Sequence, residues 1–355
     1  MIAIKRLNLR LGMFSLQDIH LNIKDKEYLV VLGPTGAGKT ILLECIAGLH
    51  KINQGEIWID SKDITHLTPE ERHIGYVPQD YILFPFLNVE RNIAFGLKQN
   101  KSSRSEIQER IQFLAGILGI SHILERDTGS LSGGEKQRVS IARALAPSSK
   151  ILLLDEPFSD LDQETSKHLR LELRRIHKQV GVTTIHVTHN QAEAEELGDR
   201  IAILNHGKLE QIDEPHEIFF APRNKMVSDF IGAPNILICD HCQTLIHGLV
   251  EVKCKGLSII VPSDDDTIKK IAISPRDVYV SYIEPPGPQV NRFQGTITDI
   301  ASSATMVKLN IKLGENILLA EMSHDIFDDM DLSIGKEVFV IFKLRRIKVY
   351  EKNNS

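Results

Sequence analysis

The sequence predicts an α/β domain followed by a smaller domain built from β-strands. Three observations support this fold class. A continuous apolar run, Tyr28–Leu32, leads into a glycine-rich loop and then into a helical pattern, as a central strand buried on both faces would. A second aliphatic run, Ile151–Leu154, ends in two adjacent acids. After residue 235 the mixed pattern gives way to short alternating runs that are typical of strands.

The overall composition bounds the class of protein. A chain of 355 residues favours two domains, and 42% hydrophobic with 25% charged residues is ordinary for a globular protein with a core. The net charge of −5 gives no electrostatic reason to expect a nucleic-acid partner. No apolar run approaches the roughly 20 residues that span a bilayer. Four cysteines are too few for a disulfide framework, so we expect a cytoplasmic protein.

The pattern along the chain suggests where the domains divide. We expect the first domain at residues 1–230, with a helical insert at about 80–140, because residues 102–125 carry apolar side chains at helical spacing. We expect the second domain at 235–355, as two small OB-like barrel lobes. A proline-rich segment near 284–290 interrupts its strands and marks the expected break between the lobes.

The loop between Gly33 and Thr40 has the spacing G-x-x-x-x-G-K-T of a phosphate-binding loop. Its glycines let backbone N–H groups converge on phosphate oxygens, and the following helix adds its positive end. Lys39 should lie against the β- and γ-phosphates, while the Thr40 hydroxyl should reach Mg²⁺. The strand before it and the helix after it disfavour a glycine-rich turn without a ligand. The sequence therefore predicts ATP and Mg²⁺, with ATP contacts from Gly33, Pro34, Thr35, Gly36, Ala37, Gly38, Lys39 and Thr40.

The acids Asp155 and Glu156 follow the second aliphatic run directly. A carboxylate at the end of a strand can hold the Mg²⁺ shell, which suits Asp155. Its neighbour Glu156 can then orient or deprotonate an attacking water. Adjacent acids in a loop are more often solvated surface, but the aliphatic run before them disfavours that alternative.

The stretch Leu131–Arg138 reads LSGGEKQR and stands shortly before that strand. It resembles the signature of the ATP-binding-cassette (ABC) ATPases. Ser132, Gly133 and Gly134 would open a helix, whose N–H groups and dipole favour an anion. In this family the signature caps the nucleotide held by a second subunit. The resemblance therefore implies a homodimer in which these residues contact ATP in trans.

Further positions match the family in sequence order. Gln79 matches the glutamine that reaches the metal and the attacking water, and His189 matches the histidine that contacts the γ-phosphate. The resemblance thus makes Glu156, His189 and Gln79 the catalytic residues. It makes Thr40, Gln79 and Asp155 the Mg²⁺ ligands.

Two predicted ATP contacts depend on the resemblance alone. The segment Ser159–Asp162 resembles the loop that crosses the dimer interface in this family, and it adds Asp162 to the contacts in trans. The family usually stacks adenine on an aromatic residue early in the first sheet. Phe14 is the nearby aromatic residue, but Arg10 and Leu11 compete with it for the expected place.

One cassette without membrane-spanning runs, followed by a β domain, resembles the importer ATPases of the molybdate, sulfate, iron, polyamine and maltose group. The phosphate loop and the segment Tyr76–Pro85 look most like those of molybdate/tungstate importers. The resemblance implies a peripheral protein at the cytoplasmic face of the cell membrane. Its partners would be transmembrane permease subunits and, indirectly, an extracytoplasmic solute-binding protein. An importer ATPase for sulfate, ferric iron, a polyamine or a sugar stays open, as does a soluble ABC ATPase without a membrane partner.

Apolar side chains cluster just after Gln79. Tyr81, Leu83, Phe84 and Phe86 are typical of aromatic anchors at an interface, although local core packing explains them equally well. The hypothesis is a groove that receives a helix of the membrane subunit.

The second domain offers two candidate sites. Its resemblance to regulatory β domains of importers suggests an oxyanion ligand, for which Ser302, Ser303 and Lys343 could supply donors. The other candidate is a zinc site formed by Cys239, Cys242, His247 and Cys254, the alternative being small thiols buried between strands.

Overall fold

A computed structural model describes residues 1–99, 103–159, 161–232, 234–245, 248–264, 267–303 and 306–350. The chain forms two compact units, Met1–Phe230 and Ile231–Ser355. No helix within the described residues is long and apolar enough to cross a membrane.

The first unit combines parallel and antiparallel strands with helices. Its strands are β1 (Ile2–Leu11), β2 (Phe14–Ile23), β3 (Tyr28–Leu32), β4 (Gln54–Ile59), β5 (Lys62–Asp63), β6 (Ile74–Val77), β7 (Ile151–Asp155), β8 (Thr183–Thr188), β9 (Arg200–Asn205) and β10 (Lys208–Asp213). One sheet has the order β2-β1-β4-β5, and the other has the order β10-β9-β3-β8-β7-β6.

At least one helix follows each of the strands β3, β6, β7 and β8, as in other α/β folds. The helices are α1 (Lys39–Ala47), α2 (Val89–Gln99), α3 (Arg104–Ile117), α4 (Gly133–Leu145), α5 (Gln163–Val180), α6 (Gln191–Leu197), α7 (Pro215–Phe220) and α8 (Lys225–Ile231). Helices α2, α3 and α4 lie around the range expected for the helical insert.

The centre of the second sheet explains the continuous aliphatic runs. Every residue of β3, β7 and β8 is buried, because the sheet is covered on both faces. The pairs β3–β8, β8–β7 and β7–β6 are parallel, with Leu32 opposite Thr188 and Asp155 opposite Val187. Their carboxyl ends therefore meet at one edge of the sheet, and each is followed by a residue predicted to act on the nucleotide.

The second unit is built almost entirely from strands. They are β11 (Asn235–Ile238), β12 (His241–Thr244), β13 (Leu249–Cys254), β14 (Leu257–Pro262), β15 (Lys270–Ile273), β16 (Val278–Ser281), β17 (Arg292–Ser302), β18 (Val307–Leu313), β19 (Asn316–Met322), β20 (Glu337–Phe342) and β21 (Lys348–Tyr350), with the short helix α9 (His324–Asp329). The predicted fold class, an α/β domain followed by an all-β domain, is confirmed.

The strands of this unit pair across long stretches of chain. The sheets have the orders β11-β15-β21, β12-β13-β14 and β16-β20-β17-β18-β19. The antiparallel pairs β15–β21 and β16–β20 join strands from either side of the segment 284–290. One hydrophobic core includes both Val250 and Val340. Any division of this unit into lobes therefore groups strands that are distant in sequence.

Candidate functional site

The edge formed by the carboxyl ends of β3, β6, β7 and β8 gathers the predicted catalytic residues. Gly33 follows β3, and Gln79 lies exposed two residues after β6. Glu156 directly follows β7, and His189 directly follows β8. The parallel order of the strands thus converts positions far apart in sequence into neighbours.

The phosphate loop has the tight backbone that its glycines predict. Gly38 lies at φ +97° as the N-cap of α1, and a Cβ added to it would meet the Phe14 ring at 2.2 Å. A Cβ added to Gly33 would lie 2.1 Å from the Leu204 carbonyl oxygen. Larger residues at either position would displace the loop, so these glycines are required by backbone geometry and close packing. The same contact places Phe14, the predicted adenine neighbour, beside the loop.

Lys39 is a buried cation that folds back over the loop. Its side chain is 5% exposed, and Nζ donates hydrogen bonds to the carbonyl oxygens of Gly33 at 3.0 Å and Pro34 at 3.1 Å. Burial lowers the pKa of Lys39, while the carboxylates of Glu156 and Asp155 oppose that shift. The loop therefore holds a buried positive charge close to its own backbone.

Thr40 and Asp155 present adjacent oxygen atoms at the start of α1 and the end of β7. Thr40 Oγ1 donates to Asp155 Oδ1 at 2.9 Å, and the Tyr76 hydroxyl donates to Oδ2 at 3.3 Å. Burial raises the pKa of Asp155, against the opposing effect of these two hydrogen bonds. A hydroxyl and a carboxylate side by side are hard oxygen ligands that fit Mg²⁺. The sequence reasoning missed Tyr76, since nothing in its spacing signals a contact with a carboxylate.

Glu156 joins the lysine to the histidine. Its Oε2 lies 2.9 Å from His189 Nδ1, and its Oε1 lies 3.7 Å from Lys39 Nζ. Its backbone has φ +43°, and its N–H donates to the Val187 carbonyl at 3.0 Å. A left-handed conformation at a non-glycine residue is costly and recurs at functional sites, where the surrounding structure holds it in place.

A buried network of polar side chains stabilises the turn that carries His189. Thr188 Oγ1 accepts from the Asn190 N–H at 3.0 Å and donates to Glu193 Oε2 at 2.6 Å. The Asn190 side chain caps α6 by accepting from the N–H groups of Ala192 and Glu193. An aspartate at position 190 would cap the helix about equally well, since asparagine and aspartate are similar N-cap residues. The sequence reasoning missed Glu193, because a glutamate inside a short helix reads as solvated surface.

The signature forms a helix N-terminus. Ser132 caps α4 in a capping box with Glu135, in which Glu135 Oε2 accepts from the Ser132 N–H at 2.8 Å. A Cβ added to Gly133 would lie 3.2 Å from Leu161. The residues Ser132, Gly133, Gly134 and Asp162 line one open cavity of about 690 Å³. Asp162 also caps α5, since its Oδ1 accepts from the Thr165 N–H at 3.0 Å.

The signature and the phosphate loop form two separate groups. Among the described contacts of Lys39, Glu156 and His189, none involves Ser132, Gly133 or Gly134. A site shared between two copies requires this arrangement. Asp160, the remaining acid of the predicted interface loop, lies outside the described residues.

The aromatic group after Gln79 is only partly exposed. Tyr81 is 5% exposed, and its hydroxyl donates to the Pro157 carbonyl at 2.9 Å, so Tyr81 is a core residue rather than a surface anchor. Phe86 is 77% exposed, and the Phe84 ring lies between Phe86 at 6.0 Å and Phe95 at 4.5 Å. We define the aromatic surface as Ile82, Phe84, Phe86 and Phe95.

The candidate oxyanion site of the second unit is not assembled. Ser302 ends β17, whereas Lys343 follows β20, whose Ile341 pairs with Arg292 at the opposite end of β17. Ten residues of strand, about 30 Å, separate these ends. Ser303 Oγ donates to the Met306 carbonyl at 2.8 Å. The prediction of one site from these residues within a single copy is therefore wrong, because the register was invisible in the sequence.

Lys343 has a local partner instead. Its Nζ donates to the Tyr279 hydroxyl at 3.0 Å and lies 4.2 Å from the centre of that ring. The ammonium is thus stabilised by a hydrogen bond and a cation–π contact.

Among the described residues the cysteines do not form the candidate zinc site, and the alternative of thiols packed between strands fits them better. The described part of the chain contains no group of three or more His, Cys, Asp or Glu side chains that could hold a metal. Cys239 Sγ lies 3.6 Å from Cys254 Sγ, and Cys242 Sγ donates to the Ile268 carbonyl at 3.1 Å. His247, the fourth expected ligand, lies outside the described residues.

Comparisons with known proteins match the chain to two family models and to curated relatives. Residues 16–159 match the ABC transporter family model, and residues 288–349 match the TOBE domain model. A molybdate/tungstate import ATP-binding protein of Pyrococcus abyssi is 38% identical over 95% of this chain and 96% of its own length. A protein of the same description from Thermococcus kodakarensis is 41% identical over 80% of this chain and 84% of its own length.

Other relatives and a solved structure widen the comparison. Proteins described as spermidine/putrescine or sulfate/thiosulfate import ATP-binding proteins are 34–36% identical. The dimeric structure of an ATP-binding cassette in a post-hydrolysis state, bound to ADP and phosphate, is 30% identical and aligns with a TM-score of 0.55. That alignment covers 61% of this chain and 99% of that one.

The fold and the clustered residues define an ATP-hydrolysing cassette. The chain belongs to the family of ABC importer ATP-binding proteins that carry a C-terminal TOBE domain. The relatives named above are described as import ATP-binding proteins, and the aligned cassette structure is a dimer.

Proposed function

We propose that this chain is the ATPase subunit of an importer for molybdate or tungstate. The observation that carries the ATPase function is the cluster of Lys39, Asp155, Glu156 and His189 at one sheet edge. The oxyanion substrate is supported by the names of relatives that match almost the whole chain. Sulfate and polyamine importers are the second candidates, favoured by relatives at slightly lower identity.

In the proposed reaction, water attacks the γ-phosphate of ATP. Lys39 and the amides of the phosphate loop hold the phosphates, and Thr40 with Asp155 would hold Mg²⁺, which supplies positive charge at the phosphate oxygens. Glu156 would accept a proton from the water. His189 Nδ1 lies 2.9 Å from Glu156 Oε2 and so orients that carboxylate, and the histidine would also contact the γ-phosphate. Gln79 is exposed and follows β6 at the same edge of the sheet.

Two copies would be needed to complete each site. Ser132, Gly133 and Gly134 open α4, so their N–H groups offer an anion-binding end to the triphosphate held by the other copy. Asp162 lines the open cavity beside these three residues. This proposal is supported by the separation of the signature from Lys39 within one chain.

The aromatic surface is the proposed docking place for the membrane subunits. Phe86 and Ile82 are exposed, and Arg143 lies over the Phe84 ring at 5.0 Å while donating to the Ile82 carbonyl. Rigid aromatic side chains of this kind are typical anchors at interfaces. The chain would then act as a peripheral subunit at the cytoplasmic face of the membrane. An extracytoplasmic solute-binding protein would deliver the oxyanion to the permease.

Uptake by the reconstituted complex tests the substrate. Vesicles containing this chain with its permease and binding protein should take up labelled molybdate when ATP is supplied at the ATPase face. Excess tungstate should compete, whereas excess sulfate or spermidine should not. A matched complex carrying Glu156→Gln should show almost no uptake. Equal competition by sulfate would favour the sulfate importer, and uptake of labelled spermidine alone would favour the polyamine importer.

A further inference from the structure

Two thiols of the second unit face each other although they are 15 residues apart in sequence. Cys239 follows β11 and is half-buried, whereas Cys254 ends β13 and is fully buried. Their sulfur atoms lie 3.6 Å apart in a thiol–thiol hydrogen bond. We propose that Cys239 and Cys254 are a redox pair that forms a reversible disulfide by exchange with a low-molecular-weight disulfide such as oxidised glutathione.

The contacts select this pair over the one that the sequence suggests. Cys239 and Cys242 have the C-x-x-C spacing of many redox motifs. Cys242 Sγ, however, donates to the Ile268 carbonyl, and Cys242 lies in β12 opposite Val252. The described sulfur–sulfur contact of Cys239 is with Cys254. The disulfide therefore links β11 to β13 and not the two ends of the C-x-x-C segment.

The two cysteines differ in the way that an attacking and a resolving thiol should. Cys239 is partly accessible, so a small disulfide can reach it. The hydrogen bond from Cys254 lowers the pKa of Cys239, while the same contact and burial raise the pKa of Cys254. A thiolate is the nucleophile in exchange, and a partly exposed thiol with a lowered pKa is the one that reacts first.

The exchange balances in two steps. The Cys239 thiolate attacks one sulfur of oxidised glutathione, forms a mixed disulfide and releases one glutathione thiolate. Cys254 then loses its proton to that base or to solvent, attacks the Cys239 sulfur and releases the second glutathione. Two protein thiols are oxidised, and one glutathione disulfide is reduced to two thiols.

The bond would join two sheets of this unit covalently. Cys239 extends the strand β11 of the sheet β11-β15-β21, and its N–H donates to the Lys269 carbonyl at 2.8 Å. Cys254 belongs to the sheet β12-β13-β14, and its carbonyl accepts from Asn316 Nδ2 at 3.0 Å. A cross-link between these strands restricts the unfolded chain and should make the unit harder to unfold. Oxidation should therefore raise the free energy of unfolding of this unit.

The test uses the full chain, titrated with oxidised glutathione and digested without reduction. We expect a peptide pair linked through Cys239 and Cys254, a loss of two free thiols, a higher melting temperature and full reversal by dithiothreitol. The matched variants are Cys239→Ser, which should abolish the link, and Cys242→Ser, which should leave it unchanged. Cys254→Ala provides a second variant lacking the resolving thiol, in which glutathione should remain attached to Cys239.

Three results would overturn the proposal. They are a link between Cys239 and Cys242, persistent glutathione on Cys239 of the unaltered chain, and no loss of thiols at all. Circular dichroism of each variant shows whether the fold is retained, so a missing link cannot be confused with an unfolded protein. None of these outcomes depends on ATP hydrolysis or transport.

Discussion

The residues that follow the strands are brought together in the first unit and kept apart in the second. In the first unit, Lys39, Asp155, Glu156 and His189 lie on separate segments but converge, because parallel strands end at the same edge. In the second unit, the antiparallel ladder places residues after neighbouring strands at opposite ends of β17. Parallel order therefore turns a series of strand-end motifs into one site. Antiparallel order requires the register before any site can be inferred.

The largest expected effect concerns Glu156→Gln. The amide keeps the size of the side chain but cannot accept a proton from water, so ATP turnover should fall by about 10²–10³-fold. ATP binding should remain, and the dimer should persist longer in the presence of ATP. Turnover by phosphate release and dimer lifetime by size-exclusion chromatography provide the two measurements.

The matched control is Glu195→Gln, which makes the same chemical change on α6 in the same unit and should leave turnover near that of the unaltered chain. Undiminished turnover of Glu156→Gln would remove Glu156 from its proposed role. Full turnover at dilutions where no dimer forms would contradict the shared site.

An intermediate effect concerns the pH dependence of stability at Asp155. Because its pKa is raised by burial, the folded protein holds this proton more tightly than the unfolded chain does. The free energy of unfolding should therefore fall as pH rises from the ordinary carboxyl value, about 3.9, through the raised value. Without nucleotide and metal, Asp155→Asn should melt a few degrees higher than the unaltered chain at pH 7, and the difference should shrink toward pH 4.

Differential scanning calorimetry across this pH range checks the sign of the effect. Asp199→Asn, an acid elsewhere in the same unit, provides the comparison variant. A lower melting temperature for Asp155→Asn at pH 7 would mean that the hydrogen bonds from Thr40 and Tyr76 outweigh the cost of burying the charge.

The smallest expected effect concerns Lys343→Ala. Since Lys343 lies against Tyr279 and far along β17 from Ser302, its removal should leave any binding of molybdate to the full chain unchanged. Isothermal titration calorimetry with molybdate and tungstate measures this, with Lys312→Ala as the control. A selective loss of oxyanion binding in Lys343→Ala would show that residues from two copies share an anion site.

The sequence was most informative where a motif stood at the end of a strand. The phosphate loop lies between β3 and α1, and the acids lie at the end of β7, as the pattern of strand, loop and helix predicts. Tyr76 and Glu193 were missed, because their contacts with Asp155 and Thr188 depend on the packing of neighbouring elements. The sequence left Tyr81 open between an interface anchor and core packing, and the structure shows that it is buried. Periodicity cannot separate a core aromatic residue from an interface anchor.

In the second unit, spacing in the sequence does not predict which residues are in contact. Cys239 and Cys242 are close in sequence, yet Cys239, which follows β11, contacts Cys254 at the end of β13. Ser303 and Lys343 both offer donors, yet each already has a partner. Antiparallel pairing over long loops leaves no local signal of which residues meet.

The pairing of β15 with β21 and of β16 with β20 has a consequence for biosynthesis. A ribosome must translate through residue 350 before β15 gains its last neighbour. The first unit can fold while the second is still emerging, as domains usually do. Until then, the edges of strands in the second unit carry unpaired backbone groups. Unpaired edges can pair with other chains, so aggregation is most expected during this interval.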